Sequence, residues 1–572
     1  MNPDEDVVYR SKPWNAALAA QADPVVTELV RNALNSAADQ MKRALIRTSY
    51  SPIIYEAYDF STALYDSEVR LLAQAPTQPL FMGTLNFCIE NAVANIGGPG
   101  RLKRGDVLIY NWPFGSGSHA QDCSIIMPVF LGDEDLIGYA ASKAHWMDIG
   151  AKDPYCTDTR DVFQEGVFYP GLRLFREGVL NEDVVQMIRA NSRLPDAVIG
   201  DVNAQVASCR MGANELERIA GRFGRERFRH AVERMYEYGE RMMRSYIEKI
   251  PDGEYAAQGS LDNSGVGEEL ISFEWRIDVN GTEVNADYTM VCPQVDGPMN
   301  CPHPTTISAT YLVFAALSRS MGYVNEGHFR PITIKTKPGT LYHPVSPAPC
   351  YLFGWATNPL YEGTMRAIGA ANPELVTGRS AGCVLTLIWW GRRAKSGKVW
   401  VAGSPLPIGN GAGVNSDGMT GINIGMAFGQ IPPMELWEAK FPWLIERYEQ
   451  AADSQGAGEH AGGAGIDIDW RLLEDCALTS TIEQTRSEPW GLLNGTGGRS
   501  NAADIVYPNG RVEAFAKVTN KQIPAGSLVR VRSGGGGGYG EPRLRPPERV
   551  KRDLRDGYIT TDFARRHYPQ AF

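Results

Sequence analysis

One helix-period run near the start of the chain constrains its fold more than any other feature. Asp23-Pro24 reads as an N-cap followed by proline in the first turn. Val26, Leu29, Val30, Ala33, Leu34, Ala37, Met41 and Leu45 then recur at helical spacing. A long amphipathic helix to about Arg47 has to bury that stripe against a partner layer. The period then changes. Residues 62–66 and 70–73 flank Ser67-Glu68 and read as a β-hairpin. Residues 106–110 read as a strand entering a Gly/Ser loop, and residues 123–130 as a strand leaving it.

Further along, residues 211–250 read as helical. Residues 254–345 are strand-rich, with period-two alternation at 273–278 and a hairpin turn at 279–282, and a helix is predicted over 309–321. Helices and strands follow one another without a regular βαβ series, so the expected class is α+β, with a long N-terminal helix and mixed sheets in several layers. The chain divides into a tail (1–23), a helical region carrying the candidate site (24–250), a mixed α+β region (251–450), a Gly/Ala-rich flexible loop (451–466) and a strand-rich C-terminal region ending in a helix (467–572). The run Gly534–Gly540 reads as a tight turn.

The candidate chemistry lies in two matching segments. Gly115-Ser-Gly-Ser-His119-Ala-Gln-Asp122 and Lys143-Ala-His145-Trp-Met-Asp148 each set a His and an Asp three apart, in a chain with only 8 His. Imidazole plus carboxylate is a ligand set for Zn²⁺ or Mn²⁺, with water completing an open catalytic site. His119, Asp122 and His145 are the candidates, and Asp148 and Asp59 are possible further ligands. The alternative is that each His caps or hydrogen-bonds a loop. Lys143 either brings a cation near an anionic substrate or is a solvated strand-end lysine.

Other chemistries find little support. There is no G-x-x-x-x-G-K-[ST] phosphate loop and no G-x-S-x-G elbow. Cys123 reads as a packed, inert thiol, and Asp296 and Asn300 as turn residues. Gly409–Gly413 with Asn415–Gly418 is a weaker pocket candidate. The net charge of −10, with basic residues scattered, argues against nucleic acid. No apolar run approaches the ~20 residues of a membrane helix. The start carries no secretory pattern, and nine Cys show no C-x-x-C pair, so a cytoplasmic protein is expected.

Tyr58-Asp-Phe-Ser61, Leu72-Ala-Gln-Ala75, Gly105-Asp-Val107, His119-x-x-Asp122, Ala144-His145 with Asp148-Ile-Gly150, and Phe163-Gln-Glu-Gly166 run in a fixed order. Asn191-Ser-Arg-Leu-Pro195, Gly200-Asp201, Ala204-Gln205, Pro489-Trp-Gly-Leu492 and Tyr539-Gly-Glu-Pro542 continue it. In that order the chain resembles the hydantoinase B/oxoprolinase family, which includes subunits of ATP-dependent hydantoinases, oxoprolinases and lactamases and of acetone and acetophenone carboxylases.

The resemblance implies an α+β hydantoinase B-like fold and a metal held by Asp59, His119, Asp122 and His145, with Asp148 and Lys143 behind them. It implies a hydantoinase A-like partner that binds ATP, in a hetero-oligomer with more than one copy. The activity implied is ATP-dependent opening of a cyclic amide such as a hydantoin, oxoproline or lactam. A ketone carboxylase component using bicarbonate and a non-catalytic scaffold with a structural metal are the alternatives. Three places depart from the family pattern. Gln78-Pro-Leu-Phe-Met-Gly83 puts Phe81 where many members have His. Asp453-Ser-Gln-Gly-Ala-Gly458 and Gln430-Ile-Pro-Pro433 are altered too.

Overall fold

The structure is a computed structural model that describes residues 5–318, 324–423, 426, 431 and 433–572. The chain forms two compact units. One comprises residues 1–152, 160–257 and 273–357, and the other 153–159, 258–272 and 358–572.

The first unit is built on a seven-stranded sheet. Its order is Leu71–Gln74, Phe60–Asp66, Asp135–His145, Asp122–Leu131, Val107–Tyr110, Pro170–Arg176 and Val179–Leu180, with antiparallel pairing throughout. The predicted helix is Pro24–Thr48, capped by the Asp23 carboxylate on the N–H groups of Val25 and Val26. It packs with the Pro195–Phe223 and Arg225–Ile247 helices. Val30, Leu34 and Met41 meet Cys123, Ile125, Val129, Ile109 and Leu64 from one face of the sheet in a continuous core. The Leu85–Asn95 helix packs against the same central strands. With cover on both sides, the Phe60–Asp66 strand is buried at every residue.

That double cover leaves the sheet's second face inside the protein. Side chains alternate along a strand, so Cys123 and Ile125 point to the helical core while Asp122 and Ser124 point away from it. Lys143 and His145, paired in register with Ser124 and Asp122, share that second face. The polar residues noticed in the sequence thus line one interior side of a sheet.

Several expectations change. Residues 1–23 do not form a tail where they are described. Val7–Arg10 is a strand pairing antiparallel with Ile332–Thr336, and the Ala16–Ala19 turn packs on the Arg225–Ile247 helix. Four residues give too short an alternation to read as a strand, and the pairing is non-local. The region expected to be helical over 211–250 begins at Pro195 and breaks at Gly224, which has positive φ. The helix predicted over 309–321 runs His303–Leu317, and residues 319–321 lie outside the described residues.

Among the described residues the second unit holds a two-stranded sheet, Ile408–Gly409 with Thr420–Ile422, and two larger antiparallel sheets. One orders Val399–Ser404, Leu387–Arg392, Cys476–Thr481 and Lys517–Ile523. The other orders Trp443–Gln450, Ile466–Leu472, Leu528–Arg532, Ala502–Val506 and Val512–Ala514.

Residues 451–465 are not a flexible loop, and Gly534–Gly540 is not a tight turn. Gly534–Gly540 is buried and threads between other glycine-rich segments. Its backbone bonds with Gly409 and Ala412 on one side, Gly456 and Gly463 on another, and Thr496 and Arg499 on a third. A Cβ at Gly411 would lie 1.7 Å from the Gly378 carbonyl oxygen, and one at Gly536 would lie 2.0 Å from that of Asn410. Glycine is therefore required for backbone-to-backbone packing, which also absorbs the Gly409–Gly413 segment suggested as a pocket wall. Of the altered segment 430–433, residues 430 and 432 lie outside the described residues. Two short helices, Pro547–Arg555 and Thr561–His567, close the chain.

Candidate metal centre

The centre forms where three neighbouring strands begin or end. Asp122 opens the Asp122–Leu131 strand, and His145 closes its antiparallel neighbour on the same rung of the ladder. Asp59 immediately precedes the Phe60–Asp66 strand on the far side of His145, whose backbone N–H donates to the Asp59 carbonyl over 3.1 Å. His119 comes from the loop between the short Pro113–Ser116 helix and the Asp122–Leu131 strand.

The side chains converge closely. His119 Nε2 lies 3.0 Å from His145 Nδ1 and 3.1 Å from Asp122 Oδ1, and Asp122 Oδ1 lies 3.2 Å from His145 Nδ1. Two ligands each about 2.1 Å from one ion and adjacent around it stand roughly 3.0–3.4 Å apart, so the triangle has the size such an ion needs. His119, Asp122 and His145 form the one group of His, Cys, Asp and Glu side chains among the described residues able to hold an ion. Asp59 stands at the edge, with Oδ2 4.0 Å from His145 Nδ1 and its side chain 28% exposed, against 1% for Asp122 and 6% for each histidine.

His119 is aimed by its other ring nitrogen. Nδ1 sits 2.8 Å from the Tyr351 carbonyl oxygen, so Nδ1–H donates there and Nε2 turns toward Asp122 and His145. The rings of Tyr351 and Phe353 pack beside the imidazole, with centroids 5.2 and 5.1 Å away. Burial opposes charge on Asp122, but His119 and His145 more than offset it and hold the carboxyl well below the usual carboxylate range. Burial likewise pulls the His119 imidazole down, and Asp122 raises it on balance.

The remaining candidates fall in different places. Asp148 is buried and bound to Arg193, with Oδ1 2.5 Å from Nη1 and Oδ2 accepting from Ser192 and the Arg193 N–H. It fastens the loop after His145 to the turn before the Pro195–Phe223 helix. Lys143 is fully buried, which excludes the solvated reading. Its ammonium donates to the Ser116 carbonyl over 2.7 Å and to Thr84 over 3.2 Å, and lies 4.8 Å from the centre of the Phe81 ring. Phe81 thus packs beneath a buried cation, and burial lowers the Lys143 pKa. Cys123 faces the helical core with its thiol pushed up by burial, as an inert cysteine should. Asn300 holds its loop through the carbonyls of Val295, Gly297 and Pro349. Tyr351 escaped the sequence reading because a backbone carbonyl carries no side-chain signature.

A family model for hydantoinase B/oxoprolinase matches residues 23–542. The chain belongs to the hydantoinase B/oxoprolinase family. Within the family it is 31% identical over 560 residues to a protein of Pseudomonas sp. (strain NS671) named as one of the subunits of a D-/L-hydantoinase, covering 95% of this chain and 94% of that one. Its fold matches the ATP-dependent caprolactamase of Pseudomonas jessenii with a TM-score of 0.88 at 27% identity, covering 96% of each chain. It also matches a nucleotide-free acetone carboxylase with a TM-score of 0.84 at 17% identity, over 96% of this chain and 80% of that one. The α+β class expected from the sequence is the class observed. No helix among the described residues is long and apolar enough to cross a membrane.

Proposed function

We propose that this chain is the metal-holding component of an ATP-dependent enzyme that opens a cyclic amide, working with a separate hydantoinase A-like chain that binds ATP. The convergence of His119, Asp122 and His145 on one buried point carries the reading. The donor set fits a divalent ion. Two imidazoles and a carboxylate suit Zn²⁺ or Mn²⁺, and Asp122 Oδ2 is buried with no hydrogen-bond partner, a costly state that a cation relieves. Asp59 completes the set from its more exposed side. Similarity to a component of a hydantoinase and to a caprolactamase supports both the cyclic amide and the divided enzyme.

When bound, such an ion supplies Lewis acidity and eases loss of a proton from water. The chain's own residues prepare that chemistry. The Tyr351 carbonyl fixes the His119 tautomer, and the carboxylates of Asp122 and Asp59 supply negative charge. Tyr351 and Phe353 shield the imidazole from bulk water. Asp59, at the exposed edge, marks the side from which substrate arrives. A cyclic amide is a poor electrophile, so phosphorylation of its oxygen by the partner activates the ring carbon. Water then adds to that carbon, the ring C–N bond breaks as the nitrogen takes a proton, and the acyl phosphate left behind is hydrolysed by a second water to carboxylate and phosphate.

The test is to purify the chain together with a hydantoinase A-like partner and assay hydantoins, oxoproline and lactams for ATP-coupled ring opening. Because an acetone carboxylase shares the fold, the assay includes ¹⁴C-bicarbonate with ketones. Ring opening coupled to ADP formation, and lost in His119→Ala, is expected. Label in an acid-stable product would make the enzyme a carboxylase. Full turnover by a folded His119→Ala complex would give this chain a scaffold role only.

A further inference from the structure

We propose that Glu165 is a positioning residue of this centre, holding the backbone that aims His119. The inference rests on the metal reading above. Glu165 is fully buried at the end of the Val162–Gln164 turn. Its Oε1 accepts two backbone hydrogen bonds, from Cys350 N–H over 2.8 Å and Tyr351 N–H over 2.9 Å. Both amides lie just ahead of the Phe353–Ala371 helix, in a segment with no strand or helix to satisfy them.

Tyr351 is held at each of its polar groups. Its N–H donates to Glu165 and its carbonyl accepts from His119 Nδ1. Its hydroxyl accepts from the side-chain amide of Gln121, between His119 and Asp122 in sequence. The segment from His119 to Asp122 is thus tied to Tyr351 at two points, and Tyr351 is tied to Glu165. A buried carboxylate is costly, and bonds from two amides to its charge offset that cost while fixing direction. A carbonyl that fixes the tautomer of a ligating histidine belongs to the same device, because the ring turns if the carbonyl shifts.

The experiment is a titration of the full-length chain with Mn²⁺ and with Co²⁺, by calorimetry and by the visible Co²⁺ spectrum. It compares wild type with Glu165→Ala, Glu165→Gln, Glu165→Asp and His119→Ala, each checked for folding by thermal melting. Glu165→Ala is expected to weaken binding about 10–100-fold and change the Co²⁺ spectrum, while Glu165→Gln, whose carbonyl still accepts both N–H groups, stays within about threefold. Glu165→Asp, one methylene too short to reach both amides, falls between them and serves if the alanine variant does not fold. Wild-type affinity and spectrum in folded Glu165→Ala or Glu165→Asp would overturn the proposal, as would a Gln variant as weak as the Ala variant. If wild type and His119→Ala both bind no metal, the metal reading itself fails. If only His119→Ala loses metal, the role of Glu165 alone fails.

Discussion

Asp122 and His145 occupy one rung of an antiparallel ladder, and their side chains meet with His145 Nδ1 3.2 Å from Asp122 Oδ1. The spacing of this pair is therefore set by sheet register, and His119 comes to it from the loop before the strand. A slip of one residue would turn His145 into the helical core and carry Lys143 with it. Asp59, one residue ahead of the next strand, is placed by the same sheet.

A buried ion network supports this sheet at the hairpin end. Arg70 bonds Asp66 and Glu233, each over 2.8 Å, with all three side chains less than a tenth exposed. Arg70→Ala leaves two buried carboxylates uncompensated and is expected to cost about 3–5 kcal/mol in chemical denaturation. Glu233→Gln, which keeps a hydrogen-bonding partner for Arg70, should cost clearly less. Equal losses in the two variants would mean that the charges are not coupled.

In the second unit, Gly536→Ala places a methyl group against the Asn410 carbonyl and should cost about 3 kcal/mol or more, whereas Gly267→Ala should stay within about 0.5 kcal/mol. The nearest atom to a Cβ at Gly267 is 3.7 Å away. Melting temperatures of the two variants check this. A Gly536→Ala protein as stable as wild type would mean that the glycine segments are not packed backbone to backbone.

Acid should weaken the fold through three buried histidines. Burial lowers His303 to about 3, with the neighbouring His343 adding to the effect, and lowers His343 and His328 to about 4. All three are neutral in both states above about pH 6.5. Between about 6.5 and 4 the unfolded chain takes up protons that the folded chain refuses, so stability falls with pH there, by about 1–2 kcal/mol per histidine at pH 5. His343→Gln should show a smaller drop in melting temperature from pH 7 to pH 5 than wild type. An equal drop would show that His343 is not held neutral.

The sequence made some of this legible and hid the rest for physical reasons. The Pro24–Thr48 helix could be read because its cap and its apolar stripe are local. His119, Asp122 and His145 stood out by residue type, but their meeting depends on the pairing of two strands, and Asp59 stood level with Asp148 as a further ligand until the family resemblance favoured it. Asp148 sits in the same short pattern as Asp122 yet is bound to Arg193, because the chain has left the strand by that point. The glycine segments read as loops because their partners are backbone atoms from remote parts of the chain, which no pattern of side chains reports.

The central claim is that His119, Asp122 and His145 hold a divalent metal. The most direct measurement is the metal content, by mass spectrometry after exhaustive dialysis, of the wild-type chain and of His119→Ala, His145→Ala and Asp122→Ala, each confirmed as folded. The account predicts near one Zn²⁺ or Mn²⁺ per wild-type chain and a loss of most of it in each variant. Folded variants that keep the wild-type metal content, or a wild-type chain that takes up none when Zn²⁺ and Mn²⁺ are supplied, would contradict it.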